Sequence, residues 1–466
     1  MRFDVIAISA ALAAILLFLL PRADGAETSR PNFVIIFIDD MGYGDIEPFG
    51  STINETPHLN RMAAEGMKLT SFYVAAPVCT PSRAALMTGC YPRRVGLGKG
   101  SGHVVLFPGD PHGLHPDEQT IAELLRDAGY ATGCFGKWHL GDQPQFLPTA
   151  QGFDEYFGIP YSNDMWPGLK RWTFPHLPVM RNTKVVDQVD DMKQQAKLCR
   201  RFTEAATTFI KQNKARPFFV YLPHAFVHHP RAATPAFANK AKTATEAQIE
   251  EVDWSTGQIL QTLRDEGLAE NTLVLFTSDN GGARGCVNRP LRGGKGSAFE
   301  GGVREPTVAW WPKTIPAGSV CDEIATTMDL LPTFVRLANG KLPKDRIIDG
   351  KDIMPLLSGA SDAKTPHERF FYHQADNLRA VRSGPWKLFR NGQLYHLLDD
   401  IGEEQNVAAK NPAVVKRLTG YLDEFEADIR KNARPVGVAK NPRTLLPRPG
   451  VKGEAAYAPT LSLEHN

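Results

Sequence analysis

Asn32-Phe33-Val34-Ile35-Ile36-Phe37-Ile38-Asp39-Asp40 is the stretch that decides how this chain is read. From Phe33 to Ile38 every residue is apolar and four are β-branched. A run without polar alternation reads as a strand covered on both faces in a parallel sheet. It stops at two acids, and open α/β sheets collect ligands at the carboxyl ends of their strands. Residues 272–277, Thr-Leu-Val-Leu-Phe-Thr, form a second such run, closed by Ser278-Asp279-Asn280-Gly281-Gly282. Two acidic clusters at two strand ends predict one site.

Asp39, Asp40, Asp279 and Asn280 offer oxygen donors alone, which suits a hard cation such as Ca²⁺ or Mg²⁺ and not zinc or copper. Carboxylates so crowded repel each other unless a cation neutralises them. Taken singly, each motif is also ordinary turn chemistry.

Residues 77–89 read Pro-Val-Cys-Thr-Pro-Ser-Arg-Ala-Ala-Leu-Met-Thr-Gly. Thr80 suits an N-cap, Pro81 the first helical position and Gly89 the end of a helix. A helix starting just after Cys79 sets its sulfur at the positive end of the dipole, with Arg83 one turn further in. Such a place favours a nucleophile and an anion.

The pattern C-x-P-S-R followed by L-x-T-G resembles the signature of the type I sulfatases, matched by Cys79, Pro81, Ser82, Arg83, Leu86, Thr88 and Gly89. The likeness is strongest to the arylsulfatase and N-acetylgalactosamine-sulfatase types. It implies that a formylglycine-generating enzyme oxidises Cys79 to formylglycine, whose hydrate is the nucleophile. It further implies that Asp39, Asp40, Asp279, Asn280 and residue 79 hold one divalent cation, Ca²⁺ foremost, with Mg²⁺ as the alternative.

Gly136-Lys137-Trp138-His139-Leu140-Gly141 follows a strand-like segment. In an extended chain Lys137 and His139 point the same way, and the resemblance puts both on the sulfate. His224, His228 and His229 cluster after another apolar run at 217–222. A histidine two residues before a proline in the family pattern selects His228 as general acid, with His139 as the substitute. In Leu291-Arg292-Gly293-Gly294-Lys295-Gly296, glycines let a lysine enter from a tight turn. The spacing is not that of a P-loop, and the resemblance makes Lys295 the second sulfate-binding cation. His228 or Lys295 then protonates the leaving group, while His139 and Asp279 assist regeneration of the aldehyde.

The chain has 466 residues, 53 basic against 51 acidic, for a formal charge of +2. That balance implies no polybasic face, so nucleic acid and anionic membrane are excluded as partners. Arg2, an apolar run over 5–20, Pro21 and the small residues Ala23, Gly25 and Ala26 read as a signal peptide over 1–25. The same run is just short of a membrane anchor, the alternative reading. Export follows, to periplasm, medium or lysosome, and permits disulfides among the six cysteines. Their pairing and the oligomeric state are not legible.

Residues 26–360 are expected to form the catalytic domain and 361–432 a smaller α+β domain, with strands at 369–373, 378–382, 386–389 and 394–396 and a helix over 412–431. Residues 433–466 read as an irregular or disordered tail. The resemblance implies an alkaline-phosphatase-like α/β/α sandwich around a mostly parallel sheet. The expected activity is hydrolysis of sulfate monoesters of a carbohydrate or aryl compound. A phosphate or phosphonate monoester hydrolase of the same superfamily, or an exported glycan-binding protein, is the alternative. Residues 98–115 and 161–186, with Trp166, Arg171, Trp172 and His176, either shape the substrate pocket or fill a satellite core.

Overall fold

In the computed structural model the described residues are 30–169 and 171–458, so the signal-peptide expectation lies outside them, as do residues 459–466 of the tail. Five apolar strands, Thr272–Ser278, Asn32–Ile38, Phe218–Pro223, Ala131–Lys137 and Glu155–Ile159, lie side by side and all parallel. Every residue of the first four is buried, as the unbroken apolar runs at 33–38, 218–222 and 273–276 require. Antiparallel pairings extend the sheet on both sides: Thr307–Trp310 and then Met67–Leu69 on one, with Ser319–Cys321 parallel to the latter, and Leu177–Arg181 and then Lys184–Val189 on the other. The sheet therefore has ten strands.

Helices cover both faces. Phe33 and Phe219 are register partners and share a face, where Phe334 of the helix Leu330–Leu337 stacks on Phe33 at 4.2 Å. Phe219 is also in register with Thr132, so Phe135, three residues on, points the other way. There it meets Phe209 of the helix Leu198–Gln212 at 5.4 Å. Beside Leu330–Leu337 lies Ile121–Asp127, started by a capping box in which Thr120 and Glu123 exchange backbone and side-chain hydrogen bonds.

A four-stranded antiparallel sheet follows: Phe370–Gln374, Asn377–Ser383, Trp386–Phe389 and Leu394–His396. The helix Pro412–Asn432 packs on it through Leu418, Leu422, Phe425 and Ile429, spaced at helical intervals. Beyond it the backbone is largely irregular, yet residues 433–458 are anchored. Arg434 grips Glu118 at 2.7 and 2.9 Å, Gly437–Val438 pairs with His112–Gly113, and Leu445 and Leu446 are buried. All six cysteines are free thiols. Among the described residues no helix is long and apolar enough to cross a membrane.

Phe33 lies between Phe334 and Tyr130, the latter ring 5.5 Å away, with no exposure. Phe33→Ala removes a ring that Phe334 and Tyr130 both stack on and is expected to lower unfolding free energy by about 3–5 kcal/mol. Urea denaturation measures this; a loss below about 1 kcal/mol would contradict the packing described.

Candidate active site

Three neighbouring parallel strands end level with one another. Ile38 pairs with Ser278, and Phe37 with Pro223, so Asp39, Asp279 and His224 leave the sheet together. In a regular strand Asp39 and Asp40 would point to opposite faces. Asp40 instead takes a positive φ of 64°, a conformation costly for a residue with a side chain. The turn brings both carboxylates to one place. Ser278 Oγ accepts the Met41 N–H at 3.0 Å and Asp45 accepts the Gly42 N–H at 2.7 Å, which hold the turn.

Asp39, Asp40 and Asp279 are buried, and three cations answer them. Lys137 Nζ contacts Asp39 Oδ2. Lys295 Nζ lies 2.7 Å from Asp40 Oδ1. Arg83 donates to Asp279 Oδ2 through Nε at 3.1 Å and Nη2 at 2.7 Å, and lies 3.5 Å from Asp39 Oδ2. Burial alone would raise the Asp39 carboxyl, but Lys137, His228, Arg83 and Lys295 carry it below the usual range. Asp279 goes the other way: burial and the charge of Asp39 push it up to about 7.

Cys79 stands in this cluster, its thiol directed at Asp39 Oδ1 at 3.5 Å with Lys295 Nζ 3.8 Å from the sulfur. The helix runs Cys79–Thr88, capped by Val78 and closed by Gly89 at φ 66°. Thr80 is therefore not the N-cap expected from sequence. Its hydroxyl donates to His139 O at 3.1 Å and accepts the Leu106 N–H at 3.2 Å, tying the helix to two loops. Nor is Cys79 an activated thiol, because burial and Asp39 raise its pKa.

Lys137 and His139 do not alternate as in a strand, since His139 sits at φ 62°. Lys137 also donates to Ser162 Oγ at 3.1 Å. His139 Nε2 lies 3.0 Å from Leu106 O, so it carries the proton, and the buried Nδ1 lone pair has no partner. His228 Nδ1 is 2.6 Å from His229 O, which leaves Nε2 facing Asp40 Oδ2 at 3.6 Å. Burial, with Lys295 adding to it, lowers the His228 pKa. Of the other two histidines, His224 turns away to Ser255 Oγ at 3.0 Å.

These residues fit a divalent cation. Ligand atoms of Asp39, Asp40, Cys79 and His228 all lie within 4.8 Å of one another. Asn280 donates to Asp40 Oδ1 at 2.7 Å and keeps a buried, unpartnered Oδ1. An orphaned amide oxygen beside clustered carboxylates is the donor set of a hard ion.

Ser162 carries no sequence signal, lying in a segment without motif. That segment and residues 98–115 meet in an aromatic cluster: His103 stacks on Phe107 at 3.9 Å, and Trp172 meets both rings edge-on. Leu106, next to Phe107, is the residue bonded to His139 and Thr80. Trp166 is buried near this region, and Arg171 lies over the Trp172 ring. His176 instead pairs with Asp190 at 2.6 Å.

Residues 31–340 match the sulfatase family, and 294–428 match the N-sulphoglucosamine sulphohydrolase C-terminal family. The chain is 40% identical to the N-acetylgalactosamine-6-sulfatase of Canis lupus familiaris over 375 residues, covering 77% of this chain and 71% of that one. It is 39% identical to arylsulfatase A of Homo sapiens over 460 residues, covering 86% and 89%. Among solved structures, PsFucS1 sulfatase from Pseudoalteromonas sp. superposes with a TM-score of 0.79 at 26% identity, covering 88% of this chain and 92% of that one. Ps i-CgsB in complex with k-i-k-neocarrahexaose superposes with a TM-score of 0.76 at 30% identity, covering 87% and 95%. Signature, fold and comparisons agree: the chain belongs to the sulfatase family and is a sulfuric ester hydrolase.

Proposed function

We propose that this sulfatase cleaves sulfate monoesters of carbohydrates, using an oxidised residue 79 beside one divalent cation, Ca²⁺ before Mg²⁺. The convergence of Cys79 with Asp39, Lys137, Lys295 and Arg83 carries the reading. A sulfate monoester repels an oxygen nucleophile, and two buried positive charges, Lys137 and Arg83, with the partly exposed Lys295 offset that repulsion, the kind of preorganised term that dominates catalysis. A carbohydrate substrate is supported by the likeness to an N-acetylgalactosamine-6-sulfatase and to a structure with a bound neocarrahexaose.

Asp39, Asp40, Asp279, Asn280 and residue 79 would hold the cation, which supplies Lewis-acid polarisation of a sulfate oxygen. Formylglycine at position 79, made by a formylglycine-generating enzyme, supplies an oxygen nucleophile as its hydrate. The raised thiol pKa supports that role for an oxidised side chain over a thiolate. Lys137 and Lys295 bind sulfate oxygens, and Arg83 orients Asp279 while adding charge. His228, its Nδ1–H fixed on His229 O, protonates the leaving alkoxide from Nε2 only as the imidazolium, a form that burial and Lys295 disfavour and the neighbouring Asp40 and Asp39 carboxylates favour. His139, with its free Nδ1 lone pair, takes up a proton as sulfate is released, assisted by Asp279. The N-terminal 1–25 segment supports export before the chain acts. We take 26–360 as the catalytic portion and 361–432 as its smaller partner.

Cys79→Ala should abolish sulfate release while leaving the thermal midpoint near that of the parent; parent-like turnover would refute the nucleophile. Dialysis against EDTA should stop turnover and added Ca²⁺ restore it, whereas full activity in the chelated enzyme excludes the ion. His228→Ala should slow sulfated sugars about 10²–10⁴-fold and an activated aryl sulfate far less. Equal losses on both would assign the proton elsewhere. Across sulfated hexosamines, a sulfated galactan oligosaccharide, a steryl sulfate and an aryl phosphate, the hexosamines and galactan should turn over fastest. Preference for the steryl sulfate or the phosphate overturns the carbohydrate assignment.

A further inference from the structure

Lys295 hangs from a loop flanked by Gly293, Gly294 and Gly296, two of them at φ 82°. Glycines give such a segment many alternatives, so something else must hold the ammonium group still. The parallel-sheet side contributes two bonds at this point: Lys295 N–H to Gly282 O at 3.2 Å and Gly296 N–H to Pro77 O at 2.8 Å. At the loop's end, a Cβ on Gly281 would fall 1.8 Å from Gly301 O, so Gly281 and Gly301 pack backbone to backbone.

Besides bonds within the loop and those of Tyr73 and Arg304 to Glu300, further bonds come from the small antiparallel sheet and the turn after it. Gln374, exposed at the end of Phe370–Gln374, donates Nε2–H to Gly296 O at 2.6 Å. Arg292 donates to Glu403 O at 2.6 Å, and Glu403 Oε2 accepts the Glu300 N–H at 2.7 Å. Lys387, fully buried on Trp386–Phe389, lies 2.9 Å from Glu300 Oε1 and 2.8 Å from Glu403 Oε1. Tyr372 O–H also donates to Glu300 Oε1 at 2.8 Å. Both ends of the segment 292–300 and the residue after Lys295 are thus gripped from outside the parallel sheet.

We propose that the C-terminal sheet positions the sulfate-binding lysine: Gln374 and the buried Glu300–Lys387–Glu403 cluster lock the 292–300 loop so that Lys295 meets the substrate. This rests on Lys295 binding sulfate, as read above. Gln374 and Lys387 are positioning residues, acting only through that loop. A shift of about 1 Å in a binding group can cost as much as a hundredfold in rate.

The test is a double-mutant cycle between Gln374→Ala and Lys295→Ala, read on an aryl sulfate and through inhibition by inorganic sulfate. Gln374 is exposed, so Q374A should keep the parent thermal midpoint. In the parent it should cut kcat/KM roughly tenfold and weaken sulfate inhibition to match; in the K295A background it should add less than about a twofold loss. Q374E, which has no N–H to give, should behave as Q374A. E403Q, which removes one charge beside Lys387, should act in the same direction; if it fails to fold, Q374A decides. Parent-like kinetics in Q374A, or equal losses in both backgrounds, overturns the positioning role. No sulfate release by the parent itself would instead overturn the catalytic reading, and this proposal with it.

Discussion

Three carboxylates, Asp39, Asp40 and Asp279, are packed together out of reach of water, and the rest of the site is arranged to make that tolerable. An uncompensated buried charge costs several kcal/mol even after relaxation. The compensation comes from segments far apart in sequence: Arg83 from a helix, Lys137 from a strand end, Lys295 from a glycine-rich loop. No one of these segments can move alone without stranding a charge. The folded core therefore fixes the charged centre, and the charged centre in turn fixes which loops lie over it.

The geometry depends equally on two backbone irregularities. Asp40 and His139 both adopt positive φ immediately after a strand. Ordinary pleating would have sent Asp39 and Asp40 to opposite faces of the sheet, and at His139 the positive φ ends the alternation that would have set its ring beside the Lys137 side chain. The strain is met by hydrogen bonds that leave little alternative: Ser278 and Asp45 around the first turn, and the Pro160 and Leu106 carbonyls around the second. Strain of this kind gathers where side chains must converge.

Much of this is legible in the sequence, and the exceptions have physical reasons. The strands at 33–38 and 272–277 stand out because burial on both faces leaves them apolar but for Thr272 and Thr277, whose hydroxyls are hydrogen-bonded. The helix Ala244–Asp265 escapes a reading by periodicity because Glu246, Gln248, Glu251, Asp253, Ser255 and Thr256 are buried in it. Several of these polar groups find partners outside the helix, as Asp253 does in the backbone N–H groups of His58 and Leu59 and Ser255 in His224 Nε2. The edge strand Lys184–Val189 is half exposed and polar enough to pass for loop, and Leu177–Arg181 beside it, though buried over its first four residues, is short and carries Pro178. In the site, motif spacing marks Cys79, Arg83, Lys137 and Lys295, but not Ser162 or Gln374, whose contacts exist only once separate segments meet. Thr80 misleads for the same reason: its hydroxyl is taken by tertiary partners and not by its own helix.

All ten residues of the helix Cys79–Thr88 are buried, and Cys79 itself is only 2% exposed. A modifying protein large enough to have its own active site could not grasp that side chain once the sheet and loops have closed over it. The oxidation proposed for residue 79 therefore requires that residues 77–89 be reached as an extended, accessible peptide. For that proposed modification, the depth at which one sulfur atom lies sets the order of events, chemistry first and folding second.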